Sequence, residues 1–141
     1  EVSSEVLLVV TPEPTSITDA YALLKMLDKR IDFEKQDTTI RMISNRVEGI
    51  THGNNLYHKL STVVNEFLSI KLEYLGTVPQ DNNLCKAIIK QTPVTIAYPN
   101  TYSSQAIFDL AVMLNNRAVM EQPEKKGFSE FFSRLVRRMG R

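Results

Sequence analysis

The run EVLLVV at Glu5–Val10 constrains the fold of this chain more than any other feature. Its Leu and Val residues are continuous rather than alternating. That is the pattern of a strand covered on both faces, as in a parallel sheet. TPEPTSITDAYALLK follows at once and reads as a turn and a helix over Ser16–Leu27. Thr15 or Ser16 can cap that helix, and Asp19 in its first turn suits the positive end of the dipole. Ala20, Leu23, Leu24 and Leu27 form its apolar stripe. The same alternation recurs downstream. TTIRMISN (Thr38–Asn45) reads as a second strand, EGITHGN as a turn-rich loop, and Leu56–Leu68 as a second amphipathic helix. Lys71–Asp81 reads as a third strand that stops at Pro79, and Asn83–Lys90 as a short helix. TPVTIAYPN is expected to be extended, and Ser103–Val119 to be a long helix capped by Ser103 or Ser104. Strands separated by helical crossovers pair in parallel through right-handed connections. The expected class is therefore α/β, a parallel sheet with flanking helices.

The bulk numbers narrow the function classes. With 141 residues, 43% hydrophobic and 23% charged, one packed domain is expected rather than disorder. A net charge of +1 gives no global argument for nucleic acid, and no specific nucleic-acid partner is predicted. The lone Cys85 excludes an internal disulfide and a cysteine-built zinc site, and its apolar neighbours predict a buried thiol. His52 and His58 have no cluster of further ligands around them, so no metal site is predicted. No segment reaches the roughly 20 apolar residues of a membrane span. The chain opens at Glu1, close to its first strand, and is expected to be an expressed fragment or a piece cut from a longer protein.

Catalytic motifs are missing. There is no GxxxxGK followed by Ser or Thr and no GxGxxG. Gly49, Gly53, Gly76, Gly127 and Gly140 are scattered, so no loop can wrap backbone N–H groups around phosphate. No nucleophile–base spacing stands out either. The strand ends are more suggestive: TPEPTS, SNRVEG and TVPQDN would lie together at the carboxyl edge of a parallel sheet, where such sheets bind ligands. Asn45 offers an acceptor and two donors, a match for the edge of a purine, and Pro79–Asp81 could line the same pocket. The alternative is structural: Asn45 satisfies loop backbone and Asp81 caps the next helix. Both readings stay open on spacing alone.

EVLLVVTPEPTSITDAYALLK, RMISNRVEG, LEYLGTVPQD, AIIKQTPVTIAYPNTYSSQAI and FSEFFSRL together resemble the carboxyl-terminal half of MinD/ParA-type ATPases, in the branch that regulates flagellar number. The resemblance runs in register over nearly the whole chain. It implies part of a P-loop NTPase fold whose phosphate loop, magnesium ligands and water-positioning aspartate lie upstream. The intact protein would bind ATP with Mg2+, dimerise around it and hydrolyse it; this stretch, without a Walker A loop, would be inactive and bind nucleotide weakly. Carried over by position, Asn45 matches the adenine-reading asparagine, with Arg46 beside it to stack or pair near the base. Pro79, Gln80 and Asp81 match a P-x-D segment along adenine and ribose. Thr11, Pro12 and Glu13 match a loop near the nucleotide and the dimer interface. The implied partners are a second copy, a flagellar transcription regulator and a flagellar assembly GTPase, with a location in the cytoplasm and peripherally on the inner face of the cell membrane.

Three segments are expected: 1–120 as the distal half of the nucleotide-binding domain, 121–127 as a polar linker, and 128–141 as an amphipathic helix. In the last, Phe128, Phe131, Phe132, Leu135, Val136 and Met139 form one apolar stripe, with Arg134, Arg137, Arg138 and Arg141 on the other side. At ~1.5 Å per residue the helix is roughly 21 Å long, too short to span a bilayer. Aromatics opposite arginines suit the surface of an anionic membrane. Folding back on the domain and binding a protein partner are the alternatives, and the polar linker argues against permanent docking. A different class also fits the residues: a non-enzymatic α/β interaction module with a membrane- or partner-binding helix. On the resemblance, Val6–Val10 would stand as an exposed apolar edge beside an absent strand, which predicts a poorly soluble chain.

Overall fold

The computed structural model describes residues 5–30 and 39–121. The linker from residue 122 onward and the amphipathic helix expected over 128–141 lie outside the described residues. Three strands, β1 (Glu5–Val10), β2 (Thr39–Val47) and β3 (Leu72–Pro79), form a parallel sheet in the order β1-β2-β3. Helix α1 (Pro14–Asp28) connects the first pair and α2 (Ile50–Phe67) the second. Helix α3 (Asn82–Ile89), the single turn α4 (Val94–Ala97) and α5 (Tyr102–Glu121) follow β3. Two compact units divide the chain, Glu1–Leu110 and Ala111–Arg141; the sheet and the candidate site described below belong to the first.

The alternation of strand side chains builds the core. Leu8 and Val10 of β1, Ile40 and Met42 of β2 and Leu72 of β3 pack with Ala20 and Leu24 of α1 and Leu56, Leu60 and Val64 of α2. Leu7 and Val9 point the other way and remain 46% and 54% exposed. The expectation of a strand covered on both faces therefore fails for β1. The helices α1 and α2 cover one face, and β1 is the edge of the described sheet. Arg41 is 3% exposed and reaches Glu5 on one neighbouring strand and, at 3.4 Å, Glu73 on the other. Lys71 adds a contact to Glu73 at 3.1 Å. These ion pairs fix the amino ends of all three strands, because a buried guanidinium needs carboxylates on both sides.

Close approach, rather than propensity, sets the second crossover. Gly53 packs so tightly that an added Cβ would lie 2.2 Å from Thr77 Oγ1 and 2.8 Å from the Tyr74 hydroxyl. The buried Ser44 hydroxyl donates to the Gly53 carbonyl at 2.9 Å. So the polar EGITHGN stretch, expected as a loop, enters helix α2 from Ile50. On β3, Gly76 has φ +157° and its missing side chain is replaced by Leu110, 2.8 Å from where a Cβ would stand.

Other sequence expectations also change. TPVTIAYPN is not extended: Pro93 precedes one helical turn, and the Ser104 hydroxyl bonds the Val94 and Tyr98 carbonyls at 3.1 and 2.7 Å. Cys85 is exposed, because the eight-residue α3 buries only Ala87. Helix α1 starts at Pro14, a favoured first position, so neither Thr15 nor Ser16 caps it and Asp19 falls beyond its first turn. Ser16 instead accepts from the Thr11 amide at 3.0 Å. Helix α5 starts at Tyr102, which places Ser103 and Ser104, both buried, inside its first turn.

Candidate functional site

Parallel pairing brings the loops after β1, β2 and β3 to one edge. At the end of β2 the register slips: Asn45 pairs with Val78 and Val47 with Pro79, leaving Arg46 as the extra residue of a bulge. Arg46 has φ +57°, a left-handed conformation unusual for a non-glycine residue. Such a conformation costs about 1 kcal/mol or more and persists only where its surroundings enforce it. Here two hydrogen bonds do so. Asn45 Oδ1 accepts from the Arg46 amide at 3.0 Å, and the Gln80 amide donates to the Val47 carbonyl at 2.8 Å.

The bulge re-aims the Arg46 side chain across the edge, where Nη1 lies 3.3 Å from Glu13 Oε1. Both groups are well exposed, so this pair contributes little by itself. The Glu13 carboxyl is held below the usual carboxylate range, first by a hydrogen bond from the Thr11 side chain and then by its own backbone amide, with the Arg46 charge adding to the effect. A groove of about 500 Å³ opens here, with Leu8, Val9, Ala20 and Leu23 among its apolar lining and Thr11, Glu13, Asp19 and Arg46 among its polar lining. The structure thus brings Thr11, Glu13 and Arg46 together. Pro12 adjoins them in the chain, and Asn45 adjoins them through the Arg46 backbone.

Asp81 has a different setting. Its Oδ1 accepts from the Asn83 amide at 2.8 Å and caps α3. Its Oδ2 accepts from the Ser103 amide at 3.3 Å and the Ser103 hydroxyl at 2.8 Å, in the first turn of α5. One carboxylate therefore serves the amino ends of two helices. The Ser103 hydroxyl, and then the Asn83 and Ser103 amides, hold its carboxyl below the usual range. Capping of α3 is the structural alternative that the sequence left open; the tie to Ser103, 22 positions away, had no sequence signal. Likewise nothing in the sequence paired Arg46 with Glu13.

The chemistry available is recognition. Asn45 Nδ2 has no hydrogen-bond partner among the described residues, and Oδ1 keeps a second lone pair, so a donor and an acceptor remain for the edge of a purine. That fits the base end of a nucleotide. The described residues supply no glycine-rich loop for the phosphates and no group of three His, Cys, Asp or Glu side chains suited to a metal. No described helix is long and apolar enough to cross a membrane.

A parallel sheet with crossover helices and polar loops gathered at its carboxyl edge is part of a P-loop NTPase-like α/β fold. No protein-family model matches the chain. It is 39% identical over 95% of its length to the antiactivator FleN of Pseudomonas aeruginosa, covering 46% of that protein. It is 32% identical over 96% of its length to the flagellum site-determining protein YlxH of Helicobacter pylori, covering 45%. The solved MinD cell division protein of Aquifex aeolicus shares the fold, with a TM-score of 0.53 at 23% identity over 87% of this chain and 47% of that one. The chain belongs to the MinD/ParA family, as a carboxyl-terminal portion close to FleN. It spans about half the length of the curated relatives it matches.

Proposed function

We propose that this chain is the base-recognising, distal half of an adenine-nucleotide switch that regulates flagellar number and placement. The observation that carries the reading is the carboxyl edge of the sheet, where Thr11, Glu13 and Arg46 line an open groove and Asn45 adjoins them by its hydrogen bond to the Arg46 amide. Asn45 reads the adenine edge, Pro79 and Gln80 border it, and the loop Thr11–Glu13 forms the opposite wall. Asp81 supports this edge by fixing the starts of α3 and α5. ATP phosphates and Mg2+ would be held by residues beyond those described. The similarity to FleN and YlxH supports the flagellar assignment. A second copy, a flagellar transcription regulator and a flagellar assembly GTPase remain the proposed partners. The helix expected over 128–141 would carry the protein to an anionic membrane surface.

Two measurements test this. The purified 141-residue chain should show no ATP turnover, and measurable hydrolysis would refute the division of labour. In a chain extended amino-terminally to the length of its relatives, Asn45→Ala should weaken ATP binding about tenfold more than GTP binding, since one buried polar partner is lost. Equal losses would sink the adenine reading. One observation favours the non-enzymatic interaction module instead: both Asp81 oxygens and Asn45 Oδ1 already serve the fold.

A further inference from the structure

Helix α3 and the turn α4 after it carry a surface that the base site does not use. Each turns one apolar residue inward, Ala87 in α3 and Val94 in α4, and both are buried. At 3.6 residues per turn, the residue two positions on lies nearly opposite. That residue is Ile89 in α3 and Ile96 in α4, and these are 82% and 71% exposed. Ile88 is 68% exposed, and Cys85 shares the outer face of α3 with both isoleucines. Because α3 and α4 pack against each other, their outward isoleucines form adjoining parts of one surface. Single exposed apolar residues need no explanation, but a cluster of them marks an interaction site.

Charge narrows what can cover this surface. Lys86 and Lys90 stand one turn apart beside the isoleucines, both exposed, and neither has a carboxylate partner among the described residues. Lys90 Nζ lies 5.1 Å from the centre of the Tyr98 ring. No Asp or Glu occurs between Asp81 and Asp109. A second copy would set lysines against lysines. At such exposure the isoleucines are protrusions, which suit a soft surface, whereas a protein helix is taken up by a groove. We propose that α3 and α4 form a contact surface for an anionic bilayer. Ile88, Ile89 and Ile96 enter the boundary between headgroups and acyl chains, and Lys86 and Lys90 reach the lipid phosphates. The contact lies on the folded domain. It extends the membrane reading given for the helix expected over 128–141 to a separate set of residues, and two weak anchors on one chain hold far better than either alone.

Cys85 is the chain's only cysteine and stands on this face, so a nitroxide attached to it reports on the contact without any substitution. The full 141-residue chain is mixed with vesicles of phosphatidylcholine and phosphatidylglycerol and recovered by flotation, which leaves aggregates behind. On the floated chain, collisions of the nitroxide with oxygen should rise and those with a water-soluble nickel chelate should fall. Ile89→Ser should weaken vesicle binding about tenfold, the worth of one isoleucine removed from water. Serine matches isoleucine in helix propensity and the position is exposed, so the fold is kept. Lys86→Gln should weaken it about fivefold, the worth of one cation near an anionic surface. A floated chain whose nitroxide stays open to the nickel chelate overturns the proposal and leaves the helix over 128–141 as the anchor. Unchanged binding in Ile89→Ser overturns it too, as does an equal shift on pure phosphatidylcholine. A nitroxide already shielded from nickel before lipid is added would mean that another protein surface covers this face, and the proposal falls. If the unaltered chain does not float, both membrane readings fall.

Discussion

Asp81→Ala is the most informative single perturbation of this fold. The substitution removes the acceptor for the Asn83 amide in α3 and for the Ser103 amide in α5. Loss of a cap costs about 1 kcal/mol for each helix. The Ser103 hydroxyl is fully buried and loses the same carboxylate, and orphaning a buried donor costs about 1–3 kcal/mol. Because Thr101 Oγ1 lies 3.3 Å from the Ser103 hydroxyl and can take part of that load, the low end of the range applies. The total is about 3 kcal/mol, a large share of a small domain's stability. In urea, with a slope of about 1–3 kcal/mol/M, the midpoint should fall by about 1–3 M. Asp81→Asn keeps one acceptor and should lose roughly half as much. The acid limb gives a second check. The carboxyl titrates lower in the folded chain than in the unfolded one, so its contribution is complete above about pH 4 and is lost as pH falls through the folded value. Asp81→Ala should therefore flatten the acid limb of stability. A loss under about 1 kcal/mol would refute the reasoning, since it would mean that two helix starts and a buried hydroxyl do not depend on this carboxylate.

Three further outcomes follow from packing and pattern. Gly53→Ala should destabilise the chain by about 1–3 kcal/mol in the same urea titration, because the added methyl meets Thr77 and Tyr74 at the crossover; Thr77→Ala should not fully rescue it while the Tyr74 hydroxyl remains in the way. Leu7→Lys together with Val9→Lys should raise the soluble yield without changing the far-ultraviolet dichroism, since both side chains are already about half exposed on the edge strand; unchanged aggregation would move the liability elsewhere. The peptide Phe128–Arg141 should gain helicity on anionic vesicles and not on neutral ones, and no gain on anionic vesicles would remove the membrane-surface role.

What was legible in the sequence follows from which forces are local. Three apolar runs punctuated by Pro, Gly and Asn gave the strands and their parallel pairing, and α1 followed from Ala20, Leu24 and their spacing. Helix α2 began earlier than its composition suggested, because Gly53 and the polar residues around it are chosen by contact with Ser44 and Thr77 rather than by helix propensity. The β-branched Val94, Thr95 and Ile96 read as extended, yet Pro93 and the Ser104 hydroxyl turn them into a helical turn. Cys85 was misplaced because a short helix buries only a narrow stripe. At the site, Asn45 was visible from its position after a strand. The Arg46–Glu13 pair and the Asp81–Ser103 tie were not, since each depends on a register slip or a distant helix start.

The position of β2 between two parallel neighbours has a kinetic consequence. Val10 meets Ser44 across one crossover and Ser44 meets Thr77 across the other, separations that differ by a single residue. Loop-closure entropy depends only on the logarithm of length, so it favours neither pairing. The order of assembly is left to side-chain burial, and α2 packs on β2 and β3, the two strands of the second crossover, while α1 packs on β1. Mutations at Leu60 and Val64 should therefore slow folding itself, while changes at Leu7 and Val9 on the outer strand leave the rate unaltered.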